Sequence, residues 1–220
     1  MELNTVIFDM DGLLIDSEPL WNQAASELFS NFGVKLSPDD YKKTTGLRTK
    51  EFLNFWLTHF KIPINETGNA ESRIVNRVIE LVKQKGVPLP GVPYIFNFFK
   101  EQNFKIGLAT SSPPALIEVV VDILGIQASL SAISSANDLA LGKPHPEVYL
   151  NCARELAVLP SQCICFEDSY NGMIAAKAAG MKCIVVPSYT DIHRQAWAAA
   201  DLKISTLNNF NQLLLKSLCT

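Results

Sequence analysis

Missing from these 220 residues is any apolar run approaching the ~18 needed to cross a bilayer, so the sequence predicts no membrane helix and no membrane partner. An excess of one charge is also missing. Nineteen Lys and Arg stand against 22 Asp and Glu, a net −3, which provides no electrostatic footing for nucleic acid. The five cysteines (Cys152, Cys163, Cys165, Cys183, Cys219) are odd in number and contain no C-x-x-C pair. They predict no zinc site, and a reduced, cytoplasmic protein. From Met1 onward no basic stretch precedes an apolar one, so no secretory leader is expected. His59, His145 and His193 do not cluster with cysteines or carboxylates at ligand spacing. A phosphate-cradling G-x-x-x-x-G-K-S/T is absent, as are internal repeats and low-complexity tracts.

What is present is a chain 48% hydrophobic, with 11 glycines and 12 prolines, the balance of a compact globule. Residues 3–8 read as a short buried strand, β-branched at its centre. Helical spacing then takes over: Leu20, Ala24, Leu28 and Phe32; Phe52, Phe55, Trp56 and Phe60; Ile74, Val78, Leu81 and Val82. After Pro88-Leu89-Pro90-Gly91 the pattern alternates. Strands at 105–110, 132–134, 163–166, 182–186 and about 201–204 are separated by helices at 92–102, 114–125, 146–157 and 171–180, with a last helix at 208–216. Such alternation implies right-handed βαβ crossovers and a parallel sheet. The expected fold is α/β, a Rossmann-like doubly wound core over 1–15 and 88–220. An all-helical domain over 16–87 is inserted after the first strand.

Ligands of open parallel sheets bind beyond the carboxyl ends of the strands. Those ends carry Asp9-Met10-Asp11-Gly12, Thr110-Ser111-Ser112, Gly142-Lys143-Pro144 and Glu167-Asp168-Ser169. Each has an ordinary explanation alone: a turn for Asp11-Gly12, a helix cap for the hydroxyls and for Glu167-Asp168, a solvated side chain for Lys143. Their convergence on one rim points instead to phosphoryl transfer. Asp9 and Asp168 suit Mg²⁺, and a lysine with hydroxyls suits phosphoryl oxygens. An aspartate can attack phosphorus, and a second acid two residues on can protonate the leaving oxygen.

These four motifs, in this order, resemble those of the haloacid dehalogenase superfamily with an inserted helical cap, and closest in pattern are its sugar-phosphate phosphatases and β-phosphoglucomutases. The first motif is Asp9-Met10-Asp11-Gly12-Leu13-Leu14-Ile15-Asp16-Ser17-Glu18. Thr110 is the second, Lys143 in Gly-Lys-Pro-His-Pro-Glu-Val-Tyr the third, and Glu167-Asp168-Ser169-Tyr170-Asn171-Gly172 the fourth. The resemblance implies Asp9 as nucleophile, Asp11 as general acid and base, and Thr110 and Lys143 on the phosphoryl oxygens. It implies Mg²⁺ as cofactor, held by Asp9, the Asp11 carbonyl and Asp168, with Glu167 near or in the shell. Backbone amides of Met10, Gly12 and Ser111, together with Ser112, Glu18 and Arg48, are expected at the substrate. Ser169 and Asn171 are expected to orient the metal-side carboxylates. Crossings at Leu14–Glu18 and Val87–Gly91 would be hinges of a lid. The implied partner is a small phosphate ester, hydrolysed through an aspartyl-phosphate; with neither a coiled-coil repeat nor a clear exposed apolar patch readable in the sequence, a monomer is expected.

Departures from the mutase pattern favour a phosphatase. Trp21 stands where β-phosphoglucomutases carry a cap histidine, and Thr49 where they carry a loop arginine. Trp21 itself reads as a core residue of the inserted helices. A dehalogenase would lack the second acid, and a phosphonate hydrolase needs a cap lysine with no signature here. A non-catalytic phosphate-binding module would be expected to have lost an acid.

Overall fold

The computed structural model describes residues 2–63 and 67–219. Met1, where the leader argument begins, residues 64–66 within the expected 16–87 segment, and Thr220 lie outside the described residues. Six strands form one sheet: β1 (Thr5–Phe8), β2 (Lys105–Thr110), β3 (Ala132–Ser135), β4 (Cys163–Glu167), β5 (Lys182–Val185) and β6 (Leu202–Lys203). All pairings are parallel, in the order β3-β2-β1-β4-β5-β6. That is the doubly wound arrangement, with its crevice where the winding reverses around β1.

Both faces of the sheet are covered, which is why the central strands read as unbroken apolar runs. Side chains alternate between two buried clusters. Val6, Phe8, Ile164, Phe166 and Ile184 enter one, while Ile7, Cys163, Cys165, Cys183 and Val185 enter the other. On the first face Phe8 stacks on Phe96 at 5.0 Å and on Phe166 at 5.2 Å between ring centroids. Phe96 belongs to α5 (Val92–Glu101), which packs there beside the partly covering α6 (Pro114–Leu124). The second face is built of small residues under α7 (Glu147–Glu155) and α8 (Tyr170–Ala178). At Gly107 of β2 a Cβ would stand 2.6 Å from Cys152 Sγ, so the glycine permits the close approach of α7. Burial pushes the Cys163 thiol up to about 12 and those of Cys152, Cys165 and Cys183 higher, leaving them inert packing groups.

Between β1 and α5 lie α1 (Glu18–Ser30), α2 (Pro38–Thr44), α3 (Thr49–His59) and α4 (Ala70–Lys85). The apolar runs noted above supply the buried faces of α1 and α4; in α3 only Trp56 of the noted run is buried, Phe55 is exposed, and Leu53 and Leu57 complete the buried face. α2 has no such stripe and was not expected. Its cue is the cap: the Ser37 hydroxyl accepts from the Asp40 N–H at 3.2 Å while Asp40 Oδ2 accepts from the Ser37 N–H at 3.0 Å, with Pro38 opening the helix. The chain leaves and returns side by side. Asp16 N–H donates to Val87 O and Leu89 N–H to Leu14 O, both at 3.0 Å.

The last helix is shifted from the expected 208–216. A single tight turn occupies Leu207–Asn209, and α9 runs over Gln212–Leu218, because the Asn211 side chain caps the Leu213 and Leu214 amides. Among the described residues no helix is long and apolar enough to cross a membrane.

Candidate active site

The four strand ends meet. Asp9 follows β1, Thr110 ends β2, Lys143 lies on the loop after β3, and Glu167 ends β4. Lys143 is 2% exposed, and its Nζ lies 2.6 Å from both Asp9 Oδ1 and Glu167 Oε1. The Ala109 carbonyl accepts from it at 3.2 Å, and the Tyr149 ring lies beneath it. Burial works against its charge, but Asp9 and Glu167 outweigh burial and hold the ammonium above the ordinary lysine range.

Asp11 is tethered on three sides. Its Oδ1 accepts from Ser17 Oγ at 2.6 Å and Trp21 Nε1 at 3.0 Å, and its Oδ2 from Ser112 Oγ at 2.7 Å. Trp21 is therefore not simply core of the helical segment, as its spacing predicts. It lines the cavity and reaches the second acid, because an indole at the first turn of α1 can pack its ring while aiming its N–H outward.

Glu167 is fully buried. Lys143 and the Tyr149 hydroxyl donate to its Oε1, and the Ser169 N–H and hydroxyl to its Oε2 at 3.2 and 3.0 Å. An ionised carboxylate offers about four lone-pair sites, so these four donors fill it. Ser169 also caps α8, its hydroxyl accepting from Gly172 N–H at 3.0 Å. Tyr149 is a site neighbour that periodicity conceals; the tyrosine closing the Lys143 motif was the available signal.

Asp9, Glu167 and Asp168 each present a carboxylate oxygen within 4.8 Å of the others. Burial, with Glu167 and Asp11 adding to it against the pull of Lys143, pushes Asp9 up to about 8. Burial, with Asp9, Glu167 and Glu18, likewise lifts Asp168 well above the carboxylate range. Three crowded acids share one ammonium, and with the Glu167 lone pairs taken, the hard oxygens of Asp9 and Asp168 carry the unbalanced negative charge that fits a divalent cation. Gly12 keeps the site open: its φ is +73°, and a Cβ there would stand 2.2 Å from Asp168 Oδ2.

A cavity of about 100 Å³ opens onto this cluster. Asp9, Asp11, Glu18, Thr110, Ser111, Ser112 and Asp168 line it from the expected set. From the helical segment come Trp21, Asn22, Tyr41, Thr44, Thr45, Leu47, Thr49 and Phe52, and no lining residue is Lys, Arg or His.

Three expectations need correction. Arg48 does not face the cavity; its guanidinium pairs with Glu51 and donates to the Ala136 and Leu139 carbonyls. The Gly12 N–H is taken by Ile15 O at 3.0 Å, so it is no substrate donor. Asn171 does not orient the acids; its Nδ2 donates to Thr45 O at 2.9 Å.

The family model for haloacid dehalogenase-like hydrolases matches residues 6–186. Hexitol phosphatase B of Escherichia coli strain K12 is 41% identical over 209 residues, covering 94% of this chain and 93% of that protein. CbbY from Rhodobacter sphaeroides, solved with phosphate, is 26% identical, covers 97% and 99% of the two chains, and superposes with a TM-score of 0.86. β-Phosphoglucomutase from Clostridium difficile is 25% identical over 98% and 96%, with a TM-score of 0.83.

Proposed function

The chain belongs to the haloacid dehalogenase-like hydrolases, and from that premise we propose that it is a Mg²⁺-dependent phosphatase of small monoesters, sugar or sugar-alcohol phosphates, acting through an aspartyl-phosphate. The observation that carries this reading is a single cavity lined by Asp9, Asp11, Thr110 and Asp168, with Lys143 bonded to Asp9 from below.

Asp9 attacks phosphorus, forming its O–P bond as the bond to the leaving alcohol breaks. Asp11, oriented by Ser17, Trp21 and Ser112, protonates that alcohol and afterwards takes a proton from water, which cleaves the acyl phosphate and restores Asp9. Lys143 orients the Asp9 carboxylate, and Thr110 and Ser111 stand at the end of β2 where phosphoryl oxygens would lie. Asp9, Asp168 and the Asp11 carbonyl would hold Mg²⁺, which when bound neutralises charge on the phosphoryl group. Glu167, its oxygens already filled, serves as the anchor of Lys143 and not as a ligand.

The walls support the substrate class. The Thr49 hydroxyl and the Asn22 amide suit a neutral polyhydroxyl body, while Tyr41 and Thr45, whose hydroxyls donate to the Asn22 and Tyr41 carbonyls, offer acceptors; the Thr44 hydroxyl is spent on Tyr41 and Trp56. Lys42 lines the adjoining cavity, so we rest hydrolysis over a mutase on Trp21 and Thr49, which stand where β-phosphoglucomutases carry a histidine and an arginine. A second cavity of about 740 Å³ adjoins this one and shares Glu18, Asn22, Tyr41, Thr45 and Asp168 with it, giving a substrate a way in. We take residues 16–87 as a lid over the core of 1–15 and 88–220, hinged at the paired crossings, that opens to admit substrate and shuts to exclude water. Five free cysteines, four of them buried, support a cytoplasmic setting.

The test is phosphate release from sugar phosphates, hexitol phosphates and p-nitrophenyl phosphate, with Mg²⁺ and with EDTA, wild type beside Asp9→Asn. Release that needs Mg²⁺ and is lost in the variant supports the reading. Conversion of β-glucose 1-phosphate to its 6-phosphate without hydrolysis would replace it with a mutase.

A further inference from the structure

We propose that Arg48 and Glu51 are positioning residues that clamp the helical segment onto the loop bearing Lys143, so that the lysine is held in register only when the lid is shut. The turnover part of the test rests on the phosphatase reading; the structural part does not.

Arg48 precedes α3 and is 3% exposed. Its Nη1 donates to the Ala136 carbonyl at 3.1 Å and to that of Leu139, and its Nη2 to Glu51 and to the Ala140 carbonyl at 3.4 Å. Three carbonyls from one loop thus converge on a single guanidinium, whose planar fork suits several acceptors at once. Glu51 completes the grip, its Oε1 accepting from the Gly142 N–H at 3.3 Å and its Oε2 from the Arg48 N–H at 3.3 Å. At Gly142 a Cβ would stand 2.6 Å from Arg48 Nε and 2.7 Å from Glu51 Oε2, so the backbone is held as close as it can come. The next residue is Lys143, 2.6 Å from Asp9 and from Glu167.

The same stretch of the helical segment touches two other strand-end loops. Ser111 Oγ donates to Gly46 O at 2.8 Å, and Asn171 Nδ2 to Thr45 O at 2.9 Å. Those are single bonds between neutral groups. The Arg48 contact alone is charged, buried and multivalent. A buried guanidinium stripped of its acceptors would be costly, so opening the lid must return Arg48 to water and release the loop. The clamp therefore distinguishes closed from open and ties that difference to Lys143. It also accounts for a cavity without cations: Leu47 and Thr49 face inward while the arginine between them faces the loop.

Hydrogen–deuterium exchange over residues 136–143 of the full chain in Mg²⁺ buffer, beside turnover of p-nitrophenyl phosphate and of a sugar phosphate, tests this. The proteins are wild type, Arg48→Ala, Arg48→Lys and Glu51→Gln. Exchange should rise in all three variants. In Arg48→Ala kcat should fall roughly 100-fold on both substrates, the effect of about 1 Å misplacement, with KM little changed. Arg48→Lys, which keeps the charge but not the fork, should restore only part of the loss. Unchanged exchange in the variants overturns the clamp whatever turnover does. So does a loss confined to KM for the sugar phosphate, which would make Arg48 a substrate contact. If wild type hydrolyses no ester, the phosphatase reading fails while exchange still decides the clamp. If Arg48→Ala does not fold, Arg48→Lys and Glu51→Gln decide it.

Discussion

The indole N–H of Trp21 donates to Asp11 Oδ1 at 3.0 Å, joining the first helix of the inserted segment to the acid three residues beyond β1. A tryptophan can donate there but never accept, so the contact orients Asp11 without competing for its proton. Trp21→Phe keeps the apolar body and deletes the donor. A hydrogen bond to a charged group is worth about 1.5–3 kcal/mol. We expect kcat to fall about 10- to 100-fold with KM nearly unchanged, measured by phosphate release.

Asp9→Asn replaces the nucleophile with an amide, and turnover should drop below detection. The fold should hold, because Lys143 keeps its bond to Glu167 and a crowded negative charge is removed. Thermal unfolding without added metal should therefore give a midpoint no lower than wild type. Near-wild-type turnover would remove Asp9 from its role.

Burial, with Asp11 and Asp191 nearby, pushes the Glu18 carboxyl up to about 7 from an ordinary 4.5. The folded chain then binds more protons than the unfolded chain between those values, so stability from this group falls as pH rises from about 4.5 to 7. Glu18→Gln should unfold like wild type near pH 4 and be more stable than it at pH 8, by on the order of 3 kcal/mol at most. Urea titrations at the two pH values, without metal, measure the difference. A variant less stable at pH 8 would show that the ionised carboxylate is wanted there.

A Cβ on Gly172 would stand 1.8 Å from Glu167 Oε1. Gly172→Ala must displace either the first turn of α8 or the carboxylate that anchors Lys143. Activity should be lost and the melting midpoint lowered by several degrees, read by calorimetry beside the phosphate assay. Ala at Gly125, where no atom lies within 4 Å, meets only the strain of its positive φ and should leave turnover intact.

Much of this architecture is written locally. Short unbroken apolar runs with β-branched centres mark the strands, and 3.6-residue spacing marks α1, α3 and α4, because each pattern reflects which faces must leave water. α2 escapes that logic because its signal is a Ser37–Asp40 cap and not an apolar stripe. The rim acids are legible for a related reason: a residue directly after a buried parallel strand is delivered to the carboxyl edge wherever the strand sits in the sheet.

By itself the sequence determined the strand-end chemistry: Asp9, Asp11, Thr110, Lys143, Glu167 and Asp168 stand at those ends whatever surrounds them. Only the tertiary structure decided where the long, multiply rotatable side chains spend their hydrogen bonds. It turned Arg48 from the cavity toward carbonyls 88 and 91 residues away, and brought Trp21 to Asp11. It filled Glu167 with four donors and took Asn171 to Thr45. Backbone position follows from local pattern, whereas a side chain's partner depends on which distant segments packing brings within about 3 Å.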